Sequence, residues 1–218
     1  MNQNGISLKA YRIFDLFILT LLACAVELIN IIVLKKLFPA ELFSLSLVIP
    51  LSLIAMQRWG LRAWMIPAAG GLAYCVANSG SFGSYVVYIV GNCFVLLNAL
   101  WCRNEGKKRI EESTGMKIAF TATGFLVVEI GRTLLALIFE VGEQGFVPAL
   151  TNSFRGFIVS DALNIVIGII VVLIAGRQPG LFMDQLEYLK ALQAEREKNK
   201  QISSGGYDEE GQDDEFDS

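Results

Sequence analysis

The chain contains no histidine, which removes imidazole acid–base catalysis, catalytic triads of the usual sort and the commonest metal ligand. Its four cysteines, Cys24, Cys75, Cys93 and Cys102, have no paired spacing suited to zinc or a redox dithiol, so buried reduced thiols are expected. It also lacks a phosphate-binding loop of the GxxxxGK[ST] kind, so this chain does not hydrolyse ATP by that route. The ordinary tools of an enzyme are missing: no catalytic residue, metal site or cofactor is expected, and no nucleic-acid partner.

What the chain has is apolar sequence in blocks. Of 218 residues, 54% are hydrophobic, and they form long runs instead of an amphipathic spread. A spanning helix needs about 20 largely apolar residues. Residues 13–34, 84–101, 118–139 and 157–175 meet or approach that length, while 42–56 and 63–76 are shorter and could instead make a hairpin of half-depth or tilted helices. The expectation is an all-α integral membrane protein, a bundle of six transmembrane helices over residues 1–177, in contact with the lipid bilayer.

Lys and Arg are enriched in cytoplasmic loops. Lys9 and Arg12 precede span one, and Arg58 and Arg62 separate spans two and three. Arg103, Lys107, Lys108, Arg109 and Lys117 follow span four, and Arg177 and Lys190 follow span six. The opposite loops are poorer: Lys35 and Lys36 follow span one, residues 77–85 have no basic residue, and Arg155 stands against Glu140 and Glu143. Both termini should therefore be cytoplasmic. Trp59, Trp64 and Trp101 fall at the expected cytoplasmic span ends, where indole rings anchor in the headgroups. The stretch Leu21-Leu22-Ala23-Cys24 imitates a lipoprotein signal, but cleavage is not expected because residues 25–34 stay apolar.

After span six, Gln178-Pro179-Gly180 stops the helix. A short cytoplasmic amphipathic helix is expected within residues 178–202, with Phe182, Leu186 and Leu189 on one face. Residues 203–218 should be a flexible linker and a disordered acidic tail. The tail holds seven of the acids, so a net charge of −3 for the whole chain becomes about +4 without it.

Four spans carry polar pairs three residues apart: Glu27 with Asn30, Tyr85 with Tyr88, Glu129 with Arg132, and Asp161 with Asn164. That spacing puts each pair on one helical face. An acid or arginine at the bilayer centre costs on the order of 3 kcal/mol, so such groups face a bundle interior, a partner or a wet cavity. With the N-terminus inside, all the pairs and Asn92 fall in the outer half of the bundle. The inner halves, such as residues 14–22, 95–100 and 166–175, are almost wholly apolar. A polar chamber sealed below suits solute capture, whereas a pore needs a polar path through both leaflets.

Candidate roles follow from the chemistry of each group. Arg132 offers a fork of donors for a carboxylate or phosphate, and Glu27, Glu129 and Asp161 could balance an amine. Asn30, Asn92 and Asn164 could read ring edges, and Tyr85 and Tyr88 could stack on a flat heterocycle. The bland alternative for Glu129 and Arg132 is an internal ion pair. Residues 78–84, rich in Ser and Gly, are either a simple turn or a cover for a ligand.

The span count, the length, and the stretch Leu45-Ser46-Leu47-Val48-Ile49-Pro50 through Gln57-Arg58-Trp59-Gly60 to Ala68-Ala69-Gly70-Gly71-Leu72 resemble the S component of an energy-coupling factor (ECF) transporter, over roughly residues 11–175. The resemblance implies capture of a vitamin-like small molecule in a cavity open to the extracellular side of a bacterial cell membrane. It also implies a transmembrane coupling protein and two cytosolic ATPase subunits as partners. Many such subunits carry alanines four apart early in the first helix. Here that segment reads Phe14-Asp15-Leu16-Phe17-Ile18-Leu19-Thr20, which implies a dedicated partner or another docking face. The alternative from a different class is a non-transporting membrane scaffold of MreD-like architecture, in which the polar cluster is a closed structural network.

Overall fold

A computed structural model describes residues 8–37, 45–103, 105–156, 161–178 and 180–205. All their regular structure is helical, with no strand among the described residues. We number the helices α1 (Leu8–Leu37), α2 (Val48–Trp59), α3 (Met65–Ala77), α4 (Phe82–Leu100), α5 (Gly106–Glu112), α6 (Thr114–Gln144), α7 (Phe146–Gly156), α8 (Ala162–Ala175) and α9 (Gln185–Gly205). Segments within Lys9–Val33, Phe82–Leu100 and Thr114–Glu140 are long and apolar enough to cross a membrane. Residues 42–44 at the start of the expected span two, residues 157–160 of span six, and the acidic tail from 206 onward lie outside the described residues, as do the side chains of Glu143 and Arg155.

No Gly or Pro interrupts the 30 residues of α1, so the helix runs about 45 Å and passes through the Leu21-Leu22-Ala23-Cys24 stretch unbroken. Its outward face presents Phe14, Phe17, Leu21 and Ile29, each more than half exposed. A continuous apolar surface of this kind marks contact with a membrane or another protein. The inward face carries Leu16, Ala23, Glu27 and Ile31 and packs on α2 and α3.

The centre of the body is α2. All 12 of its residues are buried, because α1, α3, α4, α6 and α8 surround it. At about 1.5 Å per residue it rises roughly 18 Å, and the 13-residue α3 is scarcely longer. Each is shorter than the roughly 30 Å hydrocarbon thickness. Pro50 and Pro67 each sit in a first helical turn, where a missing N–H leaves no hydrogen bond unmade. The chain reverses between the two helices at Gly60, whose φ of +66° is a left-handed conformation that favours glycine. A 3₁₀ turn over Gly60–Trp64 completes the reversal.

Between α3 and α4 the Ser- and Gly-rich stretch makes a tight turn. The Gly80 amide donates to the Cys75 carbonyl at 2.9 Å, and the Ser84 amide donates to Ser81 Oγ at 3.4 Å. Helix α4 changes pitch along its length, with a π-turn over Val86–Val90 and a 3₁₀ stretch over Phe94–Leu100. The segment after α6 is helical as α7 rather than a plain loop.

One end of the bundle departs from the expectation of a nearly apolar inner half. Asp15 and Arg58 form a bidentate pair, with Nε and NH2 donating to the two carboxylate oxygens at 3.0 and 2.9 Å. Arg58 NH1 donates to the carbonyls of Gly180 and Leu181, each at 3.0 Å. Trp59 Nε1 also donates to Asp15, so this indole is buried and does not belong to an exposed aromatic belt, whereas Trp64 is exposed. Gln57 donates to the Lys107 carbonyl at 2.8 Å, Asn98 to the Phe120 carbonyl at 2.8 Å, and Lys107 pairs with Asp184 at 2.6 Å. Each polar group expected to be costly here is matched by a partner from a distant part of the chain.

The chain divides into a unit ending at Asp184 and one beginning at Gln185. Phe182, expected on the amphipathic helix, belongs instead to the first unit. It is buried, with Lys117 Nζ 6.0 Å from its ring centroid. In the second unit α9 runs on through Gly205, so residues 203–205 continue a helix where a linker was expected.

Candidate functional site

At the opposite end of the bundle from Arg58, a cavity of about 20 Å³ is lined by Glu27, Ser46, Val48, Gly70, Tyr74, Tyr88, Asn92, Arg132, Asp161 and Asn164. It draws on α1, the residues leading into α2, α3, α4, α6 and the start of α8. Six of the nine candidate residues line it: Glu27, Tyr88, Asn92, Arg132, Asp161 and Asn164. Glu129 stands one shell back, its carboxylate 3.9 Å from Arg132 NH1. Asn30 lies beside the cavity, donating to the Leu45 carbonyl at 3.3 Å.

Tyr85 is not among the lining residues. The π-turn over Val86–Val90 bonds i to i+5 and widens the turn, so residues three apart across it no longer share one face as they do in an α-helix. The partner of the Tyr88 ring is Tyr74, with centroids 4.2 Å apart. Tyr74 is the only tyrosine in the third apolar block, and that lone polar aromatic was the available signal for it. Ser46 lies within the short block 42–56, where a lone serine in an apolar run carried no comparable signal.

Asn92 and Arg132 hold the site together. Arg132 Nε and NH2 both donate to Asn92 Oδ1, at 2.9 and 2.6 Å, and Asn92 Nδ2 donates to the Pro67 carbonyl at 3.3 Å. The remaining nitrogen, NH1, lies between Glu129 and Asp161, at 3.9 and 3.8 Å. The guanidinium carbon also sits 5.2 Å from the Tyr88 ring centroid, within cation–π range. Close approach of α4 to α6 makes this possible: a Cβ on Gly91 would come within 2.8 Å of Arg132 Cγ.

A short extended segment roofs the cavity. The Ser46 amide donates to Asn164 Oδ1 at 2.9 Å, Ser46 Oγ donates to Glu27 Oε2 at 2.8 Å, and Leu45 accepts from Asn30. Asn164 Nδ2 reaches Asp161 at 3.4 Å. The two pairs Glu27/Asn30 and Asp161/Asn164 thus hold the entry to α2 from either side.

Compared with known protein families, with curated proteins and with solved structures, the chain matches none of them. The site must therefore be read from its own chemistry. Among the described residues no group of three or more acids or cysteines is arranged to hold a metal ion. What the arrangement can do is bind: it offers carboxylates, amide edges and two tyrosine rings inside a largely buried space. A volume of about 20 Å³ holds one or two water molecules.

Proposed function

We propose that this chain is the substrate-capture subunit of a bacterial membrane importer of the ECF type, a six-span protein with both termini cytoplasmic that binds a small polar molecule from outside. The observation that carries the reading is the polar cavity. Expensive polar side chains from five helices and one connecting segment converge on one space near one end of a bundle, whose surface carries long apolar helices. The other end is closed by Arg58, Asp15 and the carbonyls they hold, so the polar groups do not make a continuous path. Capture belongs to this chain, and energy comes from partner ATPases through a coupling protein.

A vitamin-sized solute exceeds the present cavity. Entry then requires the Leu45–Ser46 roof to lift, and the groups it releases, Glu27, Asn30 and Asn164, become available to the solute. Three hydrogen bonds of about 0.5–1.5 kcal/mol net each are a barrier that ligand contacts can offset.

One observation favours a second reading, a membrane scaffold. Among the described residues no buried side-chain nitrogen or oxygen lacks a hydrogen-bond partner, as in a closed structural network. Thermal unfolding of the purified protein across a panel of vitamins and related micronutrients separates the two. A ligand at one hundred times its dissociation constant adds about 2.7 kcal/mol, and Asp161→Ala should abolish that gain while leaving a folded protein. No stabilisation by any member of the panel, with no coupling protein or ATPase co-purifying, would falsify the capture reading.

A further inference from the structure

Acidic side chains outnumber basic ones around the cavity. Glu27 and Asp161 line it and Glu129 stands behind, against the single guanidinium of Arg132. That guanidinium is already committed. Two of its nitrogens are held by Asn92, the third lies between two carboxylates, and one face is covered by Tyr88. It has little left to offer an incoming anion, contrary to the role its fork geometry suggested from sequence. Glu27 is 3% exposed, accepts from Ser46, and is paired with no described basic side chain.

We infer that the cavity recognises a compact primary ammonium group, the cationic head of a small amine, held by Glu27 and Asp161. The inference rests on the capture reading and names the class of solute. Two considerations converge on it. Arg132 and Asn92 form a fixed strut that places carboxylates at the cavity without neutralising all of them. A cation supplies the missing charge in a buried setting where unpaired carboxylates are costly.

Size selects the head group. One or two water molecules fill about 20 Å³, and an ammonium group is close to water in size while donating three hydrogen bonds. The carboxamide oxygens of Asn164 and Asn92 are engaged by the Ser46 amide and by Arg132, leaving carboxylates as the acceptors a donor-only head group requires. A bulky quaternary ammonium has no N–H to give and does not fit this space.

Full-length protein in detergent provides the test, using ethanolamine, its neutral counterpart ethylene glycol, the anion acetate and the quaternary amine choline, together with the micronutrient panel. The expected result is a rise in unfolding temperature with ethanolamine at concentrations where glycol, acetate and choline give none. Glu27→Gln and Asp161→Asn should each weaken ethanolamine binding about tenfold or more, the loss of one charge-assisted hydrogen bond. Tyr85→Phe, off the cavity, should leave it unchanged. Stabilisation by acetate or glycol equal to that by ethanolamine overturns the inference, as does stabilisation confined to anionic or neutral members of the panel, an outcome that leaves capture itself standing. Silence across all probes overturns both.

Discussion

Replacing Asp15 with alanine should destabilise the protein by about 3–5 kcal/mol, the cost of removing one partner from a buried ion pair. Asp15 accepts from Arg58 Nε, Arg58 NH2 and Trp59 Nε1. The side chains of Arg58 and Asp15 are only 6% and 19% exposed, so water does not readily replace the lost acceptor. The guanidinium retains the Gly180 and Leu181 carbonyls through NH1, which places the expected loss toward the lower limit, about 3 kcal/mol. Arg58→Met should cost a similar amount, because it leaves Asp15 with Trp59 alone and orphans two carbonyls. The double variant Asp15→Ala with Arg58→Met removes both charges together. Its cost should be about 1–3 kcal/mol, set by the unsatisfied indole and carbonyls. The coupling in the double-mutant cycle is then about 3–5 kcal/mol, measurable by equilibrium unfolding in a fixed detergent. Additive single effects, or an Asp15→Ala loss below about 1 kcal/mol, would refute the account of this end as a buried charge latch.

Other perturbations probe other parts of the molecule. Gly91→Ala should lower stability by about 1–3 kcal/mol through overpacking against Arg132, while Gly142→Ala, which meets nothing within 4 Å, should be neutral or slightly stabilising; thermal melts of the two compare directly. Burial pushes the Cys102 thiol up to about 11, with Lys107 acting against the shift and Asp184 adding to it, so maleimide should label it slowly at neutral pH and faster as pH rises toward that value, and rapid neutral labelling in native protein would contradict its packing. Ser46→Ala removes one of the roof's bonds, the 2.8 Å contact with Glu27, and should cost about 1 kcal/mol of stability while speeding hydrogen exchange at the Ser46 amide. Asn98→Leu should cost about 1–3 kcal/mol by leaving the Phe120 carbonyl without its side-chain donor, read by the same unfolding assay.

The helical character and the long apolar elements were legible because they depend on local composition. Polar residues in costly places also led to the cavity, since Glu27, Asn92, Arg132, Asp161 and Asn164 have few other places to go. Three-residue spacing does not carry over at Tyr85 because it assumes α geometry, and Val86–Val90 is a π-turn. Trp59 looked interfacial because an indole near a basic residue usually is. Its burial follows from Asp15, which lies 44 residues away and was hidden within an otherwise apolar run. Phe182 misled in the same way: it shares a helical face with Leu186 only if the helix begins before Gln185, and tertiary packing places that start later.

The enclosure of α2 has a consequence for how the protein is made. This helix is the second to leave the ribosome, yet α3, α4, α6 and α8, which enclose it together with α1, are synthesised afterwards. Arg58 must wait longest, since two of its acceptors are the carbonyls of Gly180 and Leu181. A nascent chain shorter than about 180 residues therefore holds its central helix incompletely clothed, and chains stalled there should be preferred substrates for membrane proteases. The last residues of the body act as the closing step of assembly, linking the quality of the finished bundle to completion of nearly the whole polypeptide.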